Sequence, residues 1–544
     1  MVLHAHLPYV RHPEQRKAVE ERWFFEAVIE CYLPLVDLLL RLLDEGIKAG
    51  ITVSISPTLA SMARDPLLVD RLERHLGHLG ELLAGEARRH AREPRFAAIF
   101  RHYRDRLERA LRVWTAIERD IVGALAALEE AGAIELITTS ATHAVLPLVR
   151  PQSLSAAQIA LGLDHHELLF GRRPRGFWLP ECAYEPGLEA ILGAFGVSYV
   201  FLEAHGILNA EPSPLFGVHG PVLCPGEAVA CFARDPECSK QIWSATEGYP
   251  ADPVYREFFR DVVSTIEPEA LGDYFAPPAG ETAWTPTGLK FHRITGATED
   301  KDLYDPGAAA SRAVEHAAQF VDARRAQVDR LSQTMDRPPV VVAPFDAELF
   351  GHWWHEGPQF LEAVVRALAR CRDEVELATP SEVLEQWTTA QVVRPAASSW
   401  GDGGYGDVWL CEDNAWIYRH LYEVGRRALA ALRERSLTTA GRGLSEVTGV
   451  SRRALDQALR ELLLAQSSDW PFMIRTGTAR DYAEGRLGRH LGHAWALLDQ
   501  LEAGQVEEAA LAGLEASSPL FPGVDILSRV WCSVGEARQV EEEV

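Results

Sequence analysis

Lysine is nearly absent from this chain: among 544 residues it occurs only at positions 17, 48, 240, 290 and 301, never followed by Ser or Thr. That excludes the P-loop, whose Lys-[Ser/Thr] pair must reach phosphate and magnesium, and leaves a Schiff-base enzyme only five candidates. Positive charge is short overall, with 54 Lys and Arg against 78 Asp and Glu and a net charge of −24 at pH 7. Nucleic acids and anionic membranes are therefore poor partners, since binding them needs a basic face that displaces counterions. Eight cysteines are scattered without a C-x-x-C pair, which argues against a disulfide framework or a zinc finger. Long apolar runs are missing too. No uncharged stretch approaches the roughly 18 to 20 residues that span a bilayer, and Met1 to Pro13 lacks the pattern of a signal peptide. A cytoplasmic protein is expected. There is no G-x-S-x-G elbow and no H-E-x-x-H helix. A lone G-x-G-x-x-G at Gly401, Gly403 and Gly406 has no clear strand before it or helix start after it, and reads as a loop.

Hydrophobic residues make up 47% and charged residues 24%, ample for a large core. At roughly 100 to 200 residues per domain, the length fits either three domains or one large barrel with attachments. Short apolar runs bounded by loop residues recur between helical stretches: Val2–Leu7, Ile51–Ser56, Ile134–Thr138, Gly176–Leu179, Tyr199–Leu202, Val340–Pro344 and Val375–Ala378. Such runs suit strands buried on both faces, and the helices between them predict a parallel, incomplete or distorted barrel. Residues 1–390 are expected to form this barrel unit, with a helical excursion over about 62–130. A Pro-, Gly- and aromatic-rich insertion over about 204–295 is expected at the barrel mouth. Residues 391–544 read as a separate α-helical domain, closing on a frayed acidic end, Val540 to Val544.

Barrel enzymes place catalytic groups at strand ends, which directs attention to four features. His4 and His6 alternate on the first strand and face one side; they suit a metal, sugar hydroxyls, or a buried structural role. Glu181 follows an apolar run between Trp178 and Tyr184, a setting that would partly desolvate a carboxylate. Asp346 ends the most hydrophobic run, with Glu348, His352, Trp353 and Trp354 just beyond. Two carboxylates roughly 5 to 5.5 Å apart perform retaining glycoside chemistry. Finally, several of the 14 tryptophans, among them Trp23, Trp284, Trp400 and Trp409, fall in or near loops where flat faces can stack on sugar rings.

Together these residues resemble glycoside hydrolase family 57, and within it the 1,4-α-glucan branching enzymes. Five motifs occur in order: HAHLPY (His4–Tyr9), ATHAVLP (Ala141–Pro147), WLPECAY (Trp178–Tyr184), APFDAELFGHWW (Ala343–Trp354) and TPSEVLEQ (Thr379–Gln386). WSATEGYPADPVYREFFRD (Trp243–Asp261), LKFHRIT (Leu289–Thr295) and AQSSDWPF (Ala465–Phe472) extend the likeness over essentially the whole chain. The resemblance implies a (β/α)7 barrel with a small inserted domain and a C-terminal helical domain that completes a glucan cleft. It implies Glu181 as nucleophile and Asp346 as acid/base, with no metal or other cofactor. His4, His6, Trp23, His143, Trp178, Tyr184, Trp284, Arg293, His352, Trp400, Trp409 and Asp469 would bind or shape the substrate. The expected partner is an α-glucan, acted on by a monomer or homodimer. The implied activity is cleavage of an α-1,4 bond and transfer of the chain to a 6-hydroxyl. An α-amylase or 4-α-glucanotransferase is the alternative, followed by a metal-dependent barrel deacetylase using His4, His6, His143 and Asp346, or a non-catalytic glucan binder. Two departures stand out. Met1 lies three residues before His4, which leaves a strand start upstream open. The family's mobile loop carries a tyrosine at its tip, whereas Pro225–Ile242, placed there by proximity to the third motif, has Phe232 as its only aromatic; Tyr249 is the next tyrosine.

Overall fold

A computed structural model describes residues 1–226, 229–244, 246–277, 284–437 and 449–533; Val540 to Val544 lie outside them. Among the described residues, nine strands form one sheet: β1 (Val2–Ala5), β2 (Ile51–Ile55), β3 (Ile134–Thr139), β4 (Gly176–Trp178), β5 (Tyr199–Leu202), β6 (Val222–Leu223), β7 (Ala230–Ala233), β8 (Pro344–Asp346) and β9 (Gln391–Val392). Their order is β8-β1-β2-β3-β4-β5-β7-β6-β9. The pairings from β8 through β1 to β5 and β7 are all parallel, while β6 runs antiparallel to β7. These seven parallel strands curl until Asp235 N, just beyond β7, donates to Val342 O, just before β8, at 2.8 Å. The result is a distorted (β/α)7 barrel whose seam this backbone bond bridges.

Side-chain alternation sorts the barrel into two layers. Trp178, Tyr199, Phe201, Ala230 and Phe232 pack together in one cluster. Their neighbours Phe177, Val200, Leu202, Cys231 and Ala233 join another, against the helix Leu188–Ala194.

The parallel strand β7 replaces one expected at Val375–Ala378, which is irregular chain leading to the capped helix Pro380–Gln386. A run such as ACFA is too short and small-residued to announce itself. Its hairpin partner β6 and the β5 edge give it the hydrogen bonds that local propensity does not. The same finding corrects the placement of the family's mobile loop at Pro225–Ile242. Its described part carries β7 and most of the helix Pro236–Trp243, and Phe232 is buried inside the barrel. The strand expected at Val340–Pro344 begins only at Pro344, because Val340 and Val342 direct their backbone groups to His219 and Asp235.

Between β2 and β3 run the helices Pro57–Ala63, Pro66–Arg89, Ala97–Ala116 and Ile121–Glu130. Beyond β9 come Trp416–Leu437, Gly449–Ala465, Asp469–Thr476, Arg480–Glu502 and Glu508–Ser517. These C-terminal helices pack on one another through Leu455, Leu459, Leu462, Leu487, Leu497 and Leu498, all buried. Among the described residues, no helix is long and apolar enough to cross a membrane.

Candidate active site

The C-terminal ends of β1, β3, β4 and β8 meet at one point. In β1, His4 is in register with Ser54 of β2 on one side and Asp346 of β8 on the other. Parity then pairs side chains across the strands: His4 Nδ1 bonds Ser54 Oγ at 3.0 Å, and His6 Nδ1 bonds Ser56 Oγ at 2.9 Å. His4 Nε2 meets His143 Nε2 at 2.8 Å, and His4 lies flat on Trp178 with ring centroids 4.6 Å apart. His6 stacks on His143 at 3.8 Å.

The helical domain reaches into this group through the turn before Asp469. Ser468 N donates to His143 O at 3.0 Å, His143 Nδ1 bonds Ser468 Oγ at 2.8 Å, and His6 Nε2 meets Asp469 Oδ2 at 3.1 Å. Every ring nitrogen of the three histidines is thus engaged by a protein atom. Burial, then the neighbouring histidines, holds His4 and His143 well below the usual imidazole range, so both are neutral.

Two carboxylates face this layer. Glu181 lies just past β4 in a left-handed conformation, φ 63° and ψ 19°. Cys182 (φ 49°) and His143 (φ 56°) share that region, which costs a non-glycine residue about 1–3 kcal/mol. Three such residues at one site mark geometry enforced by the surroundings. Trp400 does part of the enforcing: its backbone N donates to Glu181 O at 2.9 Å, and its indole Nε1 donates to Glu181 Oε2 at 2.7 Å. Glu181 Oε1 is 3.7 Å from His143 Nδ1. Burial, partly offset by hydrogen bonds from Trp400 and Ser468, pushes its carboxyl up to about 7. Asp346 ends β8 and is raised well above the usual range by burial, then by the charges of Glu348 and Glu181. The Glu181 charge is one of the causes that help Asp346 keep its proton.

Among the remaining candidates, Trp178 is fully buried beneath His4. Trp23 meets Tyr482 edge to face at 5.4 Å. Next to it, Arg22 donates to Pro286 O at 3.0 Å, tying the Trp284 segment to the same helix. Trp409 is buried beside Trp400, Val145 and Ala183. His352 Nδ1 bonds Glu30 Oε2 at 3.1 Å and lies 3.8 Å from Glu26. These three could gather round a cation, but Arg256 already donates to Glu30 at 2.8 Å, and Lys290 bears on both carboxylates. Two residues are held elsewhere. Tyr184 is buried, its hydroxyl donating to Glu189 at 2.6 Å. Arg293 is engaged within the insertion by Asp302 and by Pro253 O. The glycines of the G-x-G-x-x-G sit at positive φ in a loop behind Trp400.

Sequence reasoning passed over Ser54, Ser56, Ser468 and Tyr32. The first two carried a signal, since they share the parity of His4 and His6 on the next strand. Tyr32 did not. It lies in a π-helical turn, Val28–Tyr32, and its hydroxyl donates to Glu348. Glu348 also accepts from His6 N at 3.1 Å.

A curled parallel barrel with two partly buried carboxylates at its C-terminal rim, among stacked histidines and tryptophans, defines an enzyme of the carbohydrate-active barrel class. Residues 1–265 match the family model for glycosyl hydrolase family 57, and residues 429–531 the model for the 1,4-alpha-glucan branching enzyme C-terminal region. The chain is 33% identical to the 1,4-alpha-glucan branching enzyme of Thermococcus kodakarensis, covering 90% of this chain and 71% of the other. The crystal structure of that enzyme superposes with a TM-score of 0.83, covering 96% and 94% of the two chains. The alpha-amylase AmyC of Thermotoga maritima superposes with a TM-score of 0.87 at 38% identity, covering 97% and 98%. A branching enzyme of this type from Pyrococcus horikoshii gives 0.84 at 29%, covering 97% and 96%. The chain belongs to glycosyl hydrolase family 57.

Proposed function

We propose that this protein is a retaining 1,4-α-glucan branching enzyme. The observation that carries the chemistry is the pair Glu181 and Asp346, both partly buried at strand ends, with charge on Glu181 favouring the protonated form of Asp346. Asp346 protonates the glycosidic oxygen of an α-1,4 bond while Glu181 attacks C1, giving a glycosyl-enzyme. Asp346, now a base, removes the proton from an incoming 6-hydroxyl, which displaces Glu181 at C1 with net retention. Neutral His4, together with His6, His143 and Asp469, lines the centre where sugar hydroxyls would be held. Trp23, Trp178, Trp284, His352, Trp400 and Trp409 shape the path of the chain. Tyr184 and Arg293 act at a distance, by bracing the third motif and the insertion.

The relatives named branching enzymes and the matching C-terminal model favour transfer. The relative named an alpha-amylase favours a second reading in which water replaces the 6-hydroxyl. Incubation with amylose separates them. Branching yields new α-1,6 points after debranching with few reducing ends, whereas abundant reducing ends without branches would make the protein a hydrolase. Glu181→Gln and Asp346→Asn should each lower turnover by about a thousandfold or more while glucan binding persists; full activity in either would remove the assignment. We retain the division into 1–390, with its parts 62–130 and 204–295, and 391–544, the last containing the whole C-terminal match. The described cysteines are all free thiols, which supports a cytoplasmic setting.

A further inference from the structure

The turn that follows Asp346 carries aromatic surface that the reaction centre does not use. Trp353 is 54% exposed and Phe259 84% exposed. Between them, Phe258 stacks on Trp353 with ring centroids 4.3 Å apart and planes 20° from parallel. The Lys290 ammonium sits 4.1 Å from the centroid of Phe258, and His352 meets Phe258 edge-on at 5.4 Å. Trp353 is thus braced on one side and open on the other. Leaving such rings in water forgoes about 1.5–3 kcal/mol per buried side chain, and exposed apolar patches of this kind mark contact sites.

The patch is continuous with the candidate cleft. Trp23 and Glu26 are three residues apart on one face of the helix Glu21–Ala27, and His352 lies near Glu26 and bonds Glu30 in the π-helical turn that follows. Trp353 therefore prolongs a line that begins at Trp23. A flat, rigid, uncharged indole with one face open suits the apolar face of a pyranose ring, and nothing in it selects a charged ligand.

We propose that Trp353, braced by Phe258 and flanked by Phe259, is an aromatic platform that holds a remote segment of a long α-glucan chain. The inference rests on the glucan-active reading of the centre. Its test is native gel electrophoresis with and without amylose, together with KM on amylose and on maltoheptaose, for wild type, W353A, F259A and W353F. W353A should weaken retardation and raise KM on amylose by about five- to tenfold. F259A should do so less, and W353F should restore most of the loss. Values on maltoheptaose should stay within about twofold of wild type. Unchanged retardation and KM in W353A would overturn the platform, as would a W353A-dependent change in oligomeric state, which would make the patch a contact between copies. If wild type turns over no α-glucan, the proposed activity fails, and retardation still decides the platform by itself.

Discussion

Burying a carboxylate is costly unless it is neutral, paired or hydrogen-bonded, and this site holds three that are buried or partly so: Glu348 is buried, Glu181 and Asp346 partly. Glu348 is satisfied by Tyr32 and by the His6 amide, Glu181 by Trp400. Asp346 bears the burial penalty with two like charges nearby, and that sets the pH behaviour. Activity, read as kcat/KM, should fall below about pH 7 as Glu181 gains a proton and fall again at high pH as Asp346 loses its own. Stability follows the second group. The folded pKa of Asp346 lies above its unfolded value of about 3.9, so its favourable contribution is complete only below that value. The contribution is lost as pH rises towards and through the folded pKa. Asp346→Asn carries no charge to bury. Its Tm should exceed that of wild type near about pH 7.5, the gap closing below about pH 4, while turnover is abolished. Equal Tm values across that range would mean the carboxylate bears no such penalty. At this scale the sequence was most legible, because His4, His6, Glu181 and Asp346 occupy strand ends where spacing alone directs attention. Tyr32 was illegible, because a tyrosine inside an apolar helix looks like core.

At the scale of elements, the reaction centre depends on how one turn meets one helix. The segment Ala347–Trp354 leaves β8 and packs against the π-helical turn Val28–Tyr32, where Cys31 Sγ donates to Ala347 O at 2.9 Å. Gly351 makes the approach possible. It has φ 128°, and a Cβ there would lie 1.9 Å from the Glu30 carbonyl oxygen. Gly351→Ala should therefore cost about 2–4 kcal/mol in urea denaturation and reduce activity by displacing Asp346; a neutral effect would show that the turn can open freely. Neither the π-helical turn nor this contact could be read from sequence, since each is a tertiary fit between segments some 320 residues apart. Strand β7 was hidden for a related reason. ACFA becomes a strand by pairing, whereas Val375–Ala378, with comparable local propensity, finds no partner and stays irregular.

At the scale of the whole molecule, the barrel does not own its site: Ser468 and Asp469 of the helical domain bond His143 and His6. The sequence showed that a helical unit follows the barrel, and its motif content hinted at shared work. The actual contacts needed the fold, because nothing local brings residue 469 to residue 6. Charge is the other global property. A net charge of −24 would repel an anionic polymer and is indifferent to an uncharged one. The groups facing the centre are three histidines, of which His4 and His143 are neutral, indoles, and the carboxyls of Glu181, Asp346, Glu348 and Asp469, while the nearby Arg234 is paired with Glu203. KM for amylose should consequently change by less than about twofold between about 0.05 and 0.5 M NaCl, a range over which the screening length falls from about 14 to 4 Å. A phosphorylated or carboxylated glucan should bind more weakly than amylose at low salt and recover as salt rises. A KM for amylose that climbs steeply with salt would instead show that ionic contacts hold the substrate, and the stacking and hydroxyl-bonding account of the cleft would fail.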